Sequence, residues 1–187
     1  MTQQTHYEVH PLPLAALVHL INEWGDIPRA EAGESESHHP QPEALRELEP
    51  GPWNRTGLFD LPTLIDAANR LYPLFSRSSP EERADHINHL IHETAMHPVL
   101  TADGWSIREI WRSGRPQRRL LAGATLTLIK QLRYDPDARR LGTCHGDACA
   151  DAYIDQSAAG RRQFCSLTCQ NRHRTRAYRA RRRADHS

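Results

Sequence analysis

Residues 140–183 read RLGTCHGDACADAYIDQSAAGRRQFCSLTCQNRHRTRAYRARRR, and this stretch holds all four cysteines of the 187-residue chain. The spacing is Cys144-x4-Cys149, fifteen residues, then Cys165-x3-Cys169. Two close pairs separated by a hairpin-length insert suit one metal ion, because each turn offers two thiolates and the insert lets the pairs face each other. Two disulfides would use the same even count, but with no secretion signal in view the compartment is expected to be reducing, which disfavours them. Zinc is therefore the expected cofactor, with Cys144, Cys149, Cys165 and Cys169 as its ligands. Four thiolates close the coordination sphere, so a structural role is expected and a catalytic one is not. His145 and His173 stand close enough in sequence to substitute for a cysteine, although a complete thiolate set needs neither.

Around the cysteines the pattern predicts a knuckle, a β-hairpin and a basic helix. Tyr153-Ile154 and Gln163-Phe164-Cys165 are β-prone and flank a small-residue turn, so they are the expected strands. Ser166 is placed to cap a helix whose first turn carries Cys169. The apolar residues of this region (Tyr153, Ile154, Phe164, Leu167) are too few to fold without a metal.

Charge separates this end from the rest. Residues 139–187 carry eleven arginines against Asp147, Asp151, Asp155 and Asp185, a net +7, and the remainder carries −6. Arg161 to Arg183 holds nine arginines and no carboxylate. That asymmetry implies a polyanionic partner. Arg172, Arg176, Arg179 and Arg183 recur at three or four residues and line one helical face; Arg174, Arg181 and Arg182 broaden it, and Tyr178 adds a planar ring. Duplex DNA is the first expected partner, with arginines on phosphates and guanine edges. Asn171 suits either a base edge or the backbone of the zinc loop, the latter favoured by its place beside a ligand. Arg172 divides evenly between phosphate contact and bracing. Lys130 is the only lysine, a bias that fits a GC-rich bacterial genome as well as phosphate binding.

Arg140-Leu141-Gly142-Thr143-Cys144, the step to Cys149 and Cys165-Ser166-Leu167-Thr168-Cys169-Gln170-Asn171-Arg172 resemble the CGNR zinc finger. Gln170 stands where the name motif has glycine, and the second pair is spaced x3 where many members have x4. The resemblance implies an upstream helical domain of the ABATE type, seen here in Ala16-Leu17-Val18-His19-Leu20-Ile21-Asn22, and a bacterial, stress-induced transcription regulator.

Upstream, residues 1–138 are expected to form that helical domain and 139–187 the zinc module, a mainly α chain. Leu17, Leu20, Ile21 and Trp24 set an amphipathic helix over 12–24, ended by Gly25 and Pro28. Residues 29–52 read as a loop interrupted by a short helix near 42–48. Asp60 caps a helix carrying Leu61, Leu64, Ile65, Ala68 and Leu71, stopped by Pro73. Ser79-Pro80-Glu81-Glu82 is a capping box opening a helix with Ile87, Leu90, Ile91 and Ala95 inward, running to His97-Pro98. Trp105, Ile107 and Trp111 allow a strand or hairpin. Pro116 opens a helix with Leu121, Ala124, Leu128 and Leu132 inward. The four tryptophans, Trp24, Trp53, Trp105 and Trp111, are expected as core or loop anchors, some of them lining a ligand pocket if the body is a sensor.

His92 and His97 resemble a metalloprotease pair with one residue too many; on a helix, i and i+5 diverge by about 140° and cannot share an ion. His89 and Glu93 read as a surface pair. Nucleotide-binding loops and nucleophile elbows are missing from the sequence, so no enzyme is expected. No apolar run approaches a membrane span, and Met1–His10 has neither basic stretch nor apolar core, so a soluble cytoplasmic protein is expected. A homodimer on two half-sites suits a single recognition helix. An RNA-binding or RNA-polymerase-contacting adaptor stands as the alternative, and an enzyme in the helical domain behind it.

Overall fold

The structure is a computed structural model that describes residues 6–47 and 59–184; Trp53 and the end of the 29–52 segment lie outside the described residues. Helix α1 (Leu14–Trp24) turns Ala16, Leu17, Leu20, Ile21 and Trp24 into the core. Gly25 ends it in an extended conformation, returning its N–H to the Ile21 carbonyl. A Cβ on Gly25 would stand 2.4 Å from that oxygen, so a side chain there would break the corner. Pro28 does not act as the stop. It lies inside a second short helix, α2 (Asp26–Glu31), where the buried Arg29 guanidinium donates to the carbonyls of Glu34 (2.9 Å) and Ser37 (2.8 Å). These bonds fold the following loop back on α2. Helix α3 (Glu43–Glu47) follows.

Helix α4 (Leu61–Leu71) starts where Asp60 accepts from the Thr63 N–H at 3.0 Å. Pro73 opens a further turn, α5 (Pro73–Ser76), since its missing N–H costs nothing at a first helical position. Ser79 caps α6 (Pro80–Thr94) through the Glu82 N–H at 3.1 Å; the Glu82 carboxylate turns to the Ser78 hydroxyl, so only half of the capping box closes. Helix α6 stops sooner than its apolar spacing implies. Ala95 takes a left-handed conformation (φ 50°), and the chain leaves as a strand. His97 therefore sits on a strand rather than on the helix of His92, and the helical argument for separating the two is replaced by a chain reversal between them.

Strands β1 (Tyr7–Val9), β2 (Met96–Asp103) and β3 (Ser106–Ser113) form an antiparallel sheet ordered β1-β3-β2. The hairpin expected around Trp105 is thus present, but Trp105 is fully exposed at its tip while Trp24 and Trp111 are buried. After a short turn at Pro116–Arg118, α7 (Arg119–Tyr134) runs through the centre. Every residue from Leu120 to Leu128 is buried, because one side of α7 meets the helices and the other meets the sheet. Thr125 and Thr127 fit this apolar setting by returning their hydroxyls to the carbonyls of Leu121 (2.7 Å) and Gly123 (3.0 Å).

The chain then reaches β4 (Leu141–Thr143), β5 (Ala152–Ile154) and the long helix α8 (Leu167–Ala184). The architecture is mainly α with a small zinc module at the end, as the sequence implies. The core does not stop at the module. Leu141, Ala152 and Ile154 belong to the same buried cluster as Leu17, Leu20, Leu64 and Leu90.

Candidate metal centre and nucleic-acid interface

The two-stranded pair beside the cysteines forms, but with a different partner from the one its sequence suggests. Ala152–Ile154 pairs with Leu141–Thr143, not with residues 163–165. The reason lies in the turn between them. Asp155, only 2% exposed, accepts from the backbone N–H groups of Ser157 (2.9 Å) and Arg162 (2.8 Å), which rolls 155–162 into a closed loop. Its return leg then lies beside the first knuckle, where Gln163 accepts from the His145 N–H at 2.9 Å. The Tyr153 ring covers Gly142 so closely that a Cβ there would lie 2.7 Å from the phenolic oxygen, and that hydroxyl donates to the Arg162 carbonyl. Arg162 in turn donates to the carbonyls of Phe164 and Cys165, tying loop to knuckle.

These elements gather the four sulfurs within 4.8 Å of one another. Cys149 and Cys165 are 3.7 Å apart and Cys165 and Cys169 3.5 Å. Tetrahedral zinc with bonds of about 2.3 Å requires sulfur separations of about 3.8 Å, so the donor set fits the ion. The N–H groups of Gly146 and Cys165 both donate to the Cys144 sulfur at 3.3 Å, the arrangement that steadies a thiolate ligand. Without a cation the same burial works against thiolates: it pushes the Cys149 thiol up to about 12 and raises Cys165 as well. Burial acts in the same sense on Cys169, but hydrogen bonding from Ser166 and the neighbouring cysteines outweighs it and lowers that thiol. The cluster is a site for one structural zinc ion. Ala148 holds a left-handed conformation (φ 52°) in the first knuckle, the bend that brings Cys149 back towards Cys144.

Neither nearby histidine joins this cluster. His145 is exposed, and His173 packs its ring on Phe164 with centroids 5.2 Å apart. Among the described residues the four cysteines form the only such group of metal-ligating side chains. In α6, His86 bonds the Arg70 carbonyl (2.7 Å), and His89 stands 3.9 Å from Glu93, a surface pair as expected. Glu93 is mostly engaged elsewhere, between Arg70 (2.8 Å) and Arg118 (3.1 Å).

The module is held to the body by groups that sequence reading missed. The Asn22 amide spans the backbone of Ala152: it donates to the carbonyl (3.1 Å) and accepts from the N–H (2.8 Å), completing the outer edge of β5 from α1. Arg83, also buried, donates to the carbonyls of Ala138 (2.8 Å) and Leu141 (2.6 Å), and the Tyr72 hydroxyl donates to the Ala150 carbonyl (3.0 Å). Apolar periodicity cannot reveal such contacts, because each links a polar side chain to a backbone far along the chain. A cleft of roughly 610 Å³ lies along this seam, between α1 and the zinc loops.

Ser166 caps α8 as expected, accepting from the Cys169 N–H at 3.2 Å. Past this anchored turn the helix stands in solvent: from Asn171 to Ala184 every residue except Ala177 is exposed. Asn171, Arg172, Arg174, Arg176, Arg179, Arg181, Arg182 and Arg183 all lie on this projecting part, which is about 20 Å long at 1.5 Å per residue. Taking 100° per residue, Arg172, Arg176, Arg179 and Arg183 form one row as expected, but Arg174 and Arg181 do not broaden it: they lie on the opposite side, two and nine residues on from Arg172. Asn171, Thr175, Tyr178 and Arg182 occupy the strip between the rows that faces away from Cys169. Arg176 meets Asp147 of the first knuckle at 3.0 Å, and the Arg182 guanidinium lies 6.0 Å from the Tyr178 ring centre.

No helix among the described residues is long and apolar enough to cross a membrane. No curated protein matches the chain at a significant level. Residues 140–182, from β4 to near the end of α8, match the family model of the CGNR zinc finger.

Proposed function

We propose that the protein is a cytoplasmic, DNA-binding transcription regulator of bacterial type, in which the zinc module presents α8 to the major groove of duplex DNA. The helical body, an ABATE-like domain on this reading, serves sensing or assembly rather than catalysis. The observation that carries the proposal is α8 itself: a helix whose first turn carries Cys169 of the four-cysteine cluster, and which past that turn projects into solvent with seven arginines and no carboxylate. Bound zinc supplies a rigid cross-link between the two knuckles and the first turn of α8. The residues do the recognition.

Two opposed arginine rows match the two phosphate walls of a groove that admits one helix, and phosphate contacts set register without reading sequence. The intervening strip then faces the groove floor, where Asn171 and Arg182 have the geometry to pair with adenine and guanine edges. On this reading Asn171 is a base-contacting group, not a brace for the zinc loop. Arg176 is shared between Asp147 and a phosphate, so it also fixes the angle at which α8 leaves the knuckle. The deep, narrow major groove of A-form RNA does not accept a helix in this way, which favours duplex DNA over duplex RNA.

Selection from a random duplex library, run with the zinc-loaded chain and with Cys165→Ser, tests this. Enrichment of one motif by the zinc-loaded chain alone supports a sequence-specific regulator. Salt-sensitive retention without enrichment removes the specific-DNA claim, and competition by structured RNA then separates an RNA adaptor from a non-specific basic module.

A further inference from the structure

The two arginine rows of α8 end differently at the foot of the helix. The longer row faces the first knuckle, where Asp147 already holds Arg176 at 3.0 Å. The other row has only Arg174 and Arg181, seven residues or about 10.5 Å apart along the axis. The same step taken back from Arg174 reaches Leu167, within about 20° of the row, and Gln170 lies within about 40° of it. Both residues line a notch of roughly 390 Å³, walled on its other side by the 155–162 loop and Phe164. The notch therefore stands where the sparse row would carry its next arginine, and Arg161 of the loop lines it.

The lining carries one sign of charge: it includes Arg161 and Arg162 and no carboxylate. Arg162 turns inward, donating to the carbonyls of Phe164 and Cys165 and lying 5.1 Å from the Tyr153 ring centre. Its neighbour Arg161 is exposed, and neither its guanidinium nor the side-chain amides of Gln163 and Gln170 bond any group among the described residues. The loop that carries Arg161 is nevertheless pinned. Asp155 accepts from the Ser157 and Arg162 N–H groups, and Arg140 donates to the carbonyls of Asp155 (3.1 Å) and Ser157 (2.6 Å). A cation without an internal partner on a fixed loop is preorganised for an anion, and guanidinium suits phosphate.

We infer that the notch takes a backbone phosphate of the duplex on which α8 lies, with Arg161 on the phosphate and Leu167, 75% exposed, against its sugar. The inference rests on the reading of α8 as a DNA-binding helix and deepens it. The strand that follows Arg181 and Arg174 continues past the start of the helix and onto the loop, so the sparse row gains a third arginine from outside α8. Gln163 and Gln170 add neutral amide donors of the kind that contact phosphate oxygens. Continuity with the row, and not charge alone, selects a nucleic-acid phosphate over an acidic peptide.

Anisotropy titrations of the zinc-loaded full chain on a random-sequence duplex, repeated across a salt series, test it. Arg161 adds its own contact to those of the two rows. Arg161→Ala should therefore flatten the slope of log K against log salt by about 0.9, which weakens binding about 8-fold at about 0.1 M salt. Arg161→Lys should restore most of the slope, since a point charge is enough to release a counterion. Arg108→Ala, which removes the same charge from the β2–β3 hairpin, should leave binding unchanged. The melting point and zinc affinity of Arg161→Ala should match the parent, because the side chain bonds nothing in the chain; a loss in either would mean a structural role and overturn the inference. A parent without salt-dependent binding would overturn the reading of α8 and this inference with it. A parent with a steep slope that Arg161→Ala leaves unchanged, or that Arg108→Ala flattens equally, would overturn this inference alone.

Discussion

Replacing Asn22 by alanine tests whether the zinc module and the helical body fold as one unit. The Asn22 amide provides both hydrogen bonds to Ala152, at 3.1 and 2.8 Å, and Ala152 is completely buried. Truncation leaves an N–H and a carbonyl without partners, at about 1–3 kcal/mol for each group buried dry. The cleft between α1 and the zinc loops admits water on one side, so the lower part of that range applies and the expected loss is about 2–4 kcal/mol. Urea unfolding of the zinc-loaded protein reads it as a lower midpoint at unchanged slope, in a single transition. Asn22→Asp should do no better, because it keeps the acceptor for the N–H but sets a carboxylate against the carbonyl. Asn69→Ala is the control: Asn69 makes an equally short pair of bonds to Asp26, but both are exposed, and it should cost under about 1 kcal/mol. A loss below about 0.5 kcal/mol for Asn22→Ala, or a second transition confined to the zinc module, would refute the claim that α1 holds β5.

Three further outcomes follow from the geometry. Metal-free protein should lose stability as pH rises above about 8.5, where unfolded thiols ionise while Cys149 and Cys165 stay protonated in the fold; the lowered Cys169 opposes this, one group against two. Zinc-loaded protein, whose sulfurs are already thiolates, should show a flat profile over the same window in parallel urea titrations. Gly142→Ala should displace the Tyr153 ring and its bond to the Arg162 carbonyl, lowering zinc affinity measured by competition with a chelating dye; unchanged affinity would show that the ring does not brace the knuckles. Ala95→Gly should raise stability by up to about 1 kcal/mol in thermal unfolding, because the left-handed turn that ends α6 strains a side chain and not glycine.

The zinc ligands were legible in the sequence because a metal site is written in spacing: four cysteines in two close pairs carry the chemistry without reference to the rest of the chain. Caps were legible for the same local reason, and Asp60, Ser79 and Ser166 all cap where they were expected. Elements decided by distant partners were not. Residues 163–165 have strand propensity, but Asp155 turns the chain so that they meet the first knuckle, and β5 finds its partner eleven residues upstream instead. The apolar spacing of α6 continues through Ala95, yet the helix ends one residue before it, where Met96 enters the sheet core beside Trp111. Asn22 and Arg83 gave no signal, since their partners are main-chain groups 130 and 58 residues away. The loop around Asp155 was missed as well, and the Asp-x-Ser step at 155–157, where the side chain accepts from the N–H two residues on, is the local signal that could have revealed it.

The salt dependence of duplex DNA binding by the zinc-loaded chain, followed by fluorescence anisotropy on a random-sequence duplex, tests the role of α8 most directly. Six arginines in two rows, each displacing about 0.9 counterion, predict a slope of log K against log salt of about −5.4, falling to about −2.7 when Arg172, Arg179 and Arg183 are replaced by alanine. A slope shallower than about −2 for the parent chain, or one that the three substitutions leave unchanged, would contradict the account.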